Sequence, residues 1–190
     1  PTQSRSAVNG MLSGVSGGAA SGWGTAADSG TWSADQFSVV GDQQIITMTC
    51  TALASGYARR LITITPSFIG ASTLPAVAAG DVLQARVEYE IDDGNDGNPI
   101  AYALTLRPRL YYNDASNEYV VDGQPNVTTS TDHPAMLSGT GYLMTPGLAV
   151  KAGMANANIT AFSQLQLMVI ANRTGTVRVK LRNAEWRKVG

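Results

Sequence analysis

Hard oxygen ligands concentrate in one stretch of the chain, Asp92-Asp93-Gly94-Asn95-Asp96-Gly97-Asn98. Carboxylates and amides packed around glycines are what calcium requires, which makes Asp92, Asp93 and Asp96 the candidate metal ligands. The run lacks an oxygen ligand at the third position of a helix-loop-helix calcium loop and leads into a strand, so a plain polar hairpin loop competes with that reading. Calcium is the one cofactor considered. His133 is the single histidine, in the turn-like stretch Thr131–Pro134. A Ser-His-acid triad would need a presented serine, and no Gly-x-Ser-x-Gly elbow occurs. With one His and one Cys, the usual four-ligand zinc site is out of reach. Glu88 and Glu90 are two carboxylates on one strand face, a common and inert arrangement more often than a glycosidase pair. No catalytic residue is assigned, and a non-enzymatic role is expected.

Aromatic and amide side chains offer a different chemistry. Trp and Tyr rings make apolar platforms for sugar rings, and Arg, Gln, Asn and Asp hydrogen-bond the hydroxyls. Trp23, Trp32, Tyr57, Tyr111 and Tyr119 fall in predicted loops or on polar strand faces. Each serves equally as a packed aromatic. Trp32, Tyr57 and Tyr111, with Arg107 and Gln166, form the candidate ligand-binding set. The outer face that carries Gln84, Arg86, Thr105, Arg107, Gln164, Gln166, Arg178 and Lys180 is read as a groove floor, a subunit contact or solvated surface.

These residues need strands to hold them. Runs rich in β-branched residues at period two cover Gln44–Ala52, Arg60–Pro66, Asp81–Ile91, Ile100–Tyr112, Glu118–Val121, Gly141–Val150, Phe162–Ala171 and Thr176–Val189, with Gly, Pro, Asn and Asp between them. In 81–91, Leu83, Ala85, Val87, Tyr89 and Ile91 share one face and Gln84, Arg86, Glu88 and Glu90 the other. The parity of the last run changes between Leu181 and Ala184, which predicts a bulge near Arg182-Asn183. The best helical window, Met154–Phe162, is a poor match to the helical period. Eight strands with uneven connections predict an all-β, two-sheet jelly-roll-like sandwich over 35–190, preceded by an irregular Gly-rich N-terminal arm over 1–34.

At 190 residues and 44% hydrophobic composition, one core is expected. Cys50 stands alone inside an apolar run, a small core residue and not half of a disulfide. The formal net charge of −1, with no basic run among aromatics, argues against nucleic acid as a partner. No apolar stretch approaches the roughly 20 residues that cross a bilayer, and the N-terminus lacks the pattern of a secretory signal, so a soluble chain with no membrane partner is expected. Pro1 fits either removal of an initiator methionine or a chosen domain boundary.

The opening Asn9-Gly10-Met11-x-x-Gly14-Val15 with Trp23, the segment Ala79-Gly80-Asp81-Val82 before an alternating strand, and the ending Gly175-Thr176-Val177-Arg178 … Arg187-Lys188-Val189 resemble β-sandwich modules of bacteriophage virion proteins, tail fibres among them. The resemblance spans most of the chain and describes a fold more than a site. A proline common before the N-terminal tryptophan is replaced by Ser21-Gly22, and no esterase segment accompanies the module. The resemblance implies a virion component, often homotrimeric, that contacts host-surface glycan or other virion proteins. A tail-fibre-like glycan-binding module is the first expectation. A capsid decoration or head-fibre protein, and an accessory carbohydrate-binding module of a polysaccharide esterase, are the alternatives.

Overall fold

A computed structural model of the chain describes residues 5–7, 23–33, 35–64, 78–94, 97, 100–113, 118–122, 126–129, 139–152 and 164–189. Every regular element among them is a strand: β1 (Arg5–Ala7), β2 (Trp23–Ser29), β3 (Thr31–Trp32), β4 (Gln36–Val40), β5 (Gln43–Ala52), β6 (Ala58–Ile64), β7 (Val82–Asp92), β8 (Ala101–Asn113), β9 (Glu118–Asp122), β10 (Asn126–Thr129), β11 (Gly139–Met144), β12 (Leu148–Ala149), β13 (Gln164–Ala171) and β14 (Gly175–Lys188).

The strands form two antiparallel sheets. One has eight strands along β11-β7-β14-β5-β3, with β12 on β7, β4 on β5 and β1 on β14. The other has six along β10-β8-β13-β6-β2, with β9 on β8. Successive strands pass repeatedly from one sheet to the other, which produces the two-sheet jelly-roll sandwich that the alternation predicts.

Period-two burial closes the space between the sheets. Ile46, Met48 and Cys50 of β5, Leu83, Ala85, Val87 and Ile91 of β7, and Val177, Val179 and Leu181 of β14 face Ile62 of β6, Leu104, Leu106 and Leu110 of β8, and Leu165, Leu167 and Val169 of β13 in one cluster. Each is at most 1% exposed. At about 1.5–3 kcal/mol for each fully buried aliphatic side chain, this cluster is the main force holding the sheets together. Cys50 lies in it, as expected, and burial pushes its thiol up from the ordinary value, only partly offset by its hydrogen bond to the Ala52 carbonyl.

Polar groups inside the sandwich are tied to the backbone. Gln44 is fully buried, and its Nε2 donates to the Ser38 carbonyl at 2.9 Å, which locks β4 onto β5. Past the end of β11, the Thr145 N–H donates to the Ala85 carbonyl at 2.9 Å while its Oγ1 accepts from the Ala85 N–H at 3.0 Å. The hydroxyl thus satisfies a buried edge group that a strand would otherwise cover.

The expected bulge is present. The register of β14 against β7 shifts between Arg182 and Glu185, and Asn183 has φ +50°, the left-handed region that Asn enters at low cost. The shift turns both Leu181 and Ala184 inward. All eight predicted runs contain strands, and the run 141–150 divides into β11 and β12. The stretch 1–34 departs from its expected irregularity. Within it, β1 pairs with β14, β2 forms one end of the six-stranded sheet, and β3 pairs with β5. The chain changes sheets at Gly30, φ +76°, where a Cβ would stand 2.6 Å from the Ala58 Cβ and 2.7 Å from the Ala52 carbonyl oxygen. Composition concealed these strands, because Gly, Ala and Ser carry little of the period-two signal. Strands β4 and β10 were also not predicted, and the helical window Met154–Phe162 lies outside the described residues.

Candidate functional site

Outward-facing residues give each sheet its own chemistry. On the six-stranded sheet, antiparallel register aligns Thr63 with Gln166 and Gln166 with Arg107, and in the next row Leu61 with Met168 and Met168 with Thr105. Beyond these, Arg59 aligns with Ile170 and Ile170 with Ala103. Leu61, Thr105, Arg107, Gln166, Met168 and Ile170 line a groove of about 150 Å³. Its floor is recessed, since Gln166 is 5% exposed and Ala103 2% although both point away from the core. The Arg107 Nη2 donates to the Gln166 Oε1 at 3.0 Å, and the Thr105 Oγ1 donates to the Met168 carbonyl at 3.3 Å. The result is an apolar strip of Leu61, Met168 and Ile170 beside a fixed guanidinium–amide pair. The strip follows from an exception in the sequence pattern, because the outward positions of β6 and β13 hold Leu61, Met168 and Ile170 where polar residues are the rule.

The outer face of the eight-stranded sheet is ionic. Arg178 donates to Asp92 through Nε at 3.1 Å and Nη2 at 2.9 Å, and Lys180 pairs with Glu90 at 2.5 Å. Arg182 and Asn183 reach the Glu88 Oε2 at 3.0 and 2.9 Å, and Arg86 reaches its Oε1 at 2.9 Å. The side-chain hydrogen bond from Asn183 holds the Glu88 carboxyl below its usual range. Burial opposes this, and Arg182 and Arg86 add to the lowering. Asp81 is lowered as well, first by Lys188 and then by the Ala78 N–H. Tyr142 is 63% exposed with the Arg86 guanidinium 5.5 Å from its ring centre, at the edge of a recess of about 230 Å³ that Gln43, Glu90 and Lys180 also line.

The candidate residues therefore divide. Arg107 and Gln166 come together on the groove. Trp32 lies in β3 of the other sheet, half-buried against the core, with its Nε1 donating to the Ser29 carbonyl at 3.0 Å. Tyr57 stands in the turn before β6 with Arg59 stacked 5.5 Å from its ring centre. Tyr111 sits in β8 opposite Val120, and Tyr119 in β9 opposite Tyr112. The eight polar residues expected to share one face belong to both sheets: Gln84, Arg86, Arg178 and Lys180 to the eight-stranded sheet, Thr105, Arg107, Gln164 and Gln166 to the six-stranded one. A strand's alternation reveals which residues share a face, but not which sheet the strand joins.

Of the loop carboxylates, Asp92 accepts from Arg178 and from the Gly94 N–H at 2.8 Å, so structural partners engage it. Asp96 and His133 lie outside the described residues. Among the described residues no group of three His, Cys, Asp or Glu side chains is placed to hold a metal ion. Tyr142 and Met168 were not singled out in the sequence; an aromatic and a thioether at polar-face positions were the available signal.

No family model matches the sequence, and no curated protein does. Solved structures with a similar course of chain include a family 11 carbohydrate-binding module from Clostridium thermocellum in complex with a β-1,3-1,4-mixed-linked tetrasaccharide (14% identity, 98% of this chain and 95% of that chain, TM-score 0.42). Another is the CBM22-2 xylan-binding domain from Paenibacillus barcinonensis Xyn10C (11%, 98% and 99%, TM-score 0.42). A third is a non-crystalline cellulose specific carbohydrate-binding module, CBM28 (10%, 86% and 86%, TM-score 0.43).

Proposed function

We propose that the chain is a non-catalytic glycan-binding module whose ligand lies in the groove on the outer face of the six-stranded sheet. The observation that carries this reading is the juxtaposition of an apolar strip with the hydrogen-bonded Arg107–Gln166 pair in a recessed floor. A sugar ring has an apolar C–H face and a rim of hydroxyls. Leu61, Met168 and Ile170 suit the first, and guanidinium, amide and the Thr105 hydroxyl suit the second. Among the described residues of the lining Arg107 is the one that carries a charge, which favours neutral or acidic saccharides over basic ones. The side chains are held by strands and not by loops, so little ordering cost attends binding.

For setting, we infer a phage virion surface from the sequence resemblance, with host glycan as the ligand. The capsid-decoration alternative requires the N-terminal arm to lie on a neighbouring protein. Its strand Arg5–Ala7 pairs with the chain's own β14, which favours the receptor-binding reading.

A glycan array probed with the full chain, followed by titration calorimetry on the best ligand, tests the site. Arg107→Ala and Gln166→Ala are each expected to weaken binding by about 1–3 kcal/mol with the cooperative unfolding transition retained. Binding unaffected by either substitution, or no retention on any glycan, overturns the assignment.

A further inference from the structure

On the outer face of the eight-stranded sheet, charge is sorted by strand over the three rows before the bulge; past it the order reverses, with Arg86 on β7 in register with Glu185 on β14. The outward positions Asp92, Glu90 and Glu88 make an acidic stripe on β7. Beside it Arg178, Lys180 and Arg182 make a basic stripe on β14, in register Arg178↔Asp92, Lys180↔Glu90 and Arg182↔Glu88. Two exposed apolar side chains flank the stripes on the same face. Tyr142, 63% exposed, is opposite Glu88 on β11, and Val40, 60% exposed, is opposite Gln43 on β4 beyond β5.

We propose that this face is a homodimer interface, in which a dyad parallel to the strands sets the acidic stripe of each copy against the basic stripe of the other. Two parallel stripes of opposite sign are self-complementary under that operation and no other face-to-face one is needed. Rotation by half a turn about an axis running between β7 and β14 exchanges the positions of the two strands on the opposing copy. Every carboxylate then has a cation beside it in its own sheet and another across the interface. The same rotation exchanges the places of β11 and β5, so Tyr142 of one copy meets Gln43 of the other, within one strand spacing of about 4.8 Å from Val40. The dyad keeps the strands of the two copies aligned, the usual packing of sheet on sheet, and closed two-fold pairing is the commonest symmetry of soluble assemblies. The recess bounded by Gln43, Glu90, Thr140 and Tyr142 receives side chains of the second copy. The groove with Arg107 and Gln166 lies on the opposite side of the sandwich and stays open, so the dimer presents two grooves facing away from each other.

Sedimentation velocity on the full chain tests this. The wild-type protein is expected to sediment as a dimer that dissociates as ionic strength rises from roughly 0.05 M to roughly 0.5 M, because half-exposed charges are screened in that range. Glu88→Lys with Glu90→Lys reverses one stripe and is expected to give monomer; Lys180→Glu with Arg182→Glu does the same for the other, and mixing the two variants restores a dimer. Because these changes also remove pairs within the sheet, a third variant swaps two of the three rows: Glu90→Lys with Lys180→Glu, and Asp92→Arg with Arg178→Asp. It keeps both in-sheet pairs, is expected to dimerise with itself, and is expected to form mixed dimers with wild-type protein at least tenfold less well than wild-type protein does with itself. A monomeric wild-type protein at low salt, a dimer that survives reversal of one stripe, or free mixing of swapped and wild-type chains overturns the proposal. Arg107→Ala leaves the dimer intact, so loss of glycan binding and loss of pairing are separate results.

Discussion

The Asp35 side chain is only 3% exposed and that of Arg60 12%, and the two form an ion pair that Thr25 completes by donating its hydroxyl to the same carboxylate oxygen. The Arg60 Nη2 also donates to the Thr25 Oγ1 at 3.1 Å. Arg60 occupies an inward position of β6, two residues before the fully buried Ile62. The pair therefore ties the six-stranded sheet to the segment that leads into β4 of the other sheet. Removing one partner strands the other charge in a site of low polarity, so Asp35→Ala is expected to cost about 3–5 kcal/mol of stability in chemical denaturation. Asp35→Leu with Arg60→Met is expected to recover most of the loss; a double variant no more stable than Asp35→Ala would contradict the burial argument. Nothing in the sequence announced this pair, because the two residues stand 25 apart and Arg60 in isolation reads as a polar strand end. Arg107 and Gln166 were legible for the opposite reason: both alternate with core leucines, Leu104 and Leu106 in one strand and Leu165 and Leu167 in the other, so their outward direction followed from parity alone.

At the scale of the strand, β7 and β11 meet at a glycine. A Cβ on Gly141 would stand 2.7 Å from the Tyr89 hydroxyl and 2.8 Å from its Cζ, so the ring of Tyr89 lies over the bare backbone of its cross-strand partner. Gly141→Ala is expected to destabilise by about 1–3 kcal/mol, and a double-mutant cycle with Tyr89→Leu should show positive coupling, because the smaller side chain makes room. The pairing of β7 with β14 carries the pH dependence. Glu88 and Asp81 have folded-state pKa values below their ordinary 4.5 and 3.8. The unfolded chain then binds more protons in that window, so stability rises with pH there. The contribution is fully present above about pH 4.5 and is lost as pH falls through the lower folded values. Both groups are near the surface, where solvent screens the pairs, so the effect is small. Denaturation midpoints measured from neutral pH downward should fall more steeply for wild-type protein than for Glu88→Gln; equal slopes would contradict the assignment. The long strands were legible because their buried faces repeat every second residue over seven or more positions. The two-residue β3 and β12 carry too few positions to show a period, and β2 hides behind small residues.

Across the whole molecule, the sandwich begins earlier than composition suggests. Trp23 is 9% exposed and belongs to the central cluster, Trp32 packs against it, and β2 pairs along β6 from Trp23↔Ile64 to Ser29↔Arg59. β1, by contrast, adds three residues of pairing to β14 in the sheet position that β5 vacates beyond Gln44↔Leu181. Two truncations separate these contributions. Deleting residues 1–22 removes the β1 ladder and leaves both tryptophans in place, so the cooperative unfolding transition is expected to persist with a loss of about 1–2 kcal/mol, a few net hydrogen bonds. Deleting residues 1–34 removes β2 and β3, bares the hydrogen-bonding edge of β6 and takes Trp23 out of the core. Loss of one buried large aromatic costs about 3–5 kcal/mol before the strand pairing is counted. Since a domain's whole stability is about 5–15 kcal/mol, the shorter chain is expected to show no cooperative transition and to aggregate through the exposed edge. Differential scanning calorimetry of the two truncated chains decides the matter. A cooperative transition retained without residues 1–34 would mean that the sandwich closes without β2, and that the tryptophans are attachments to a core complete from residue 35 onward.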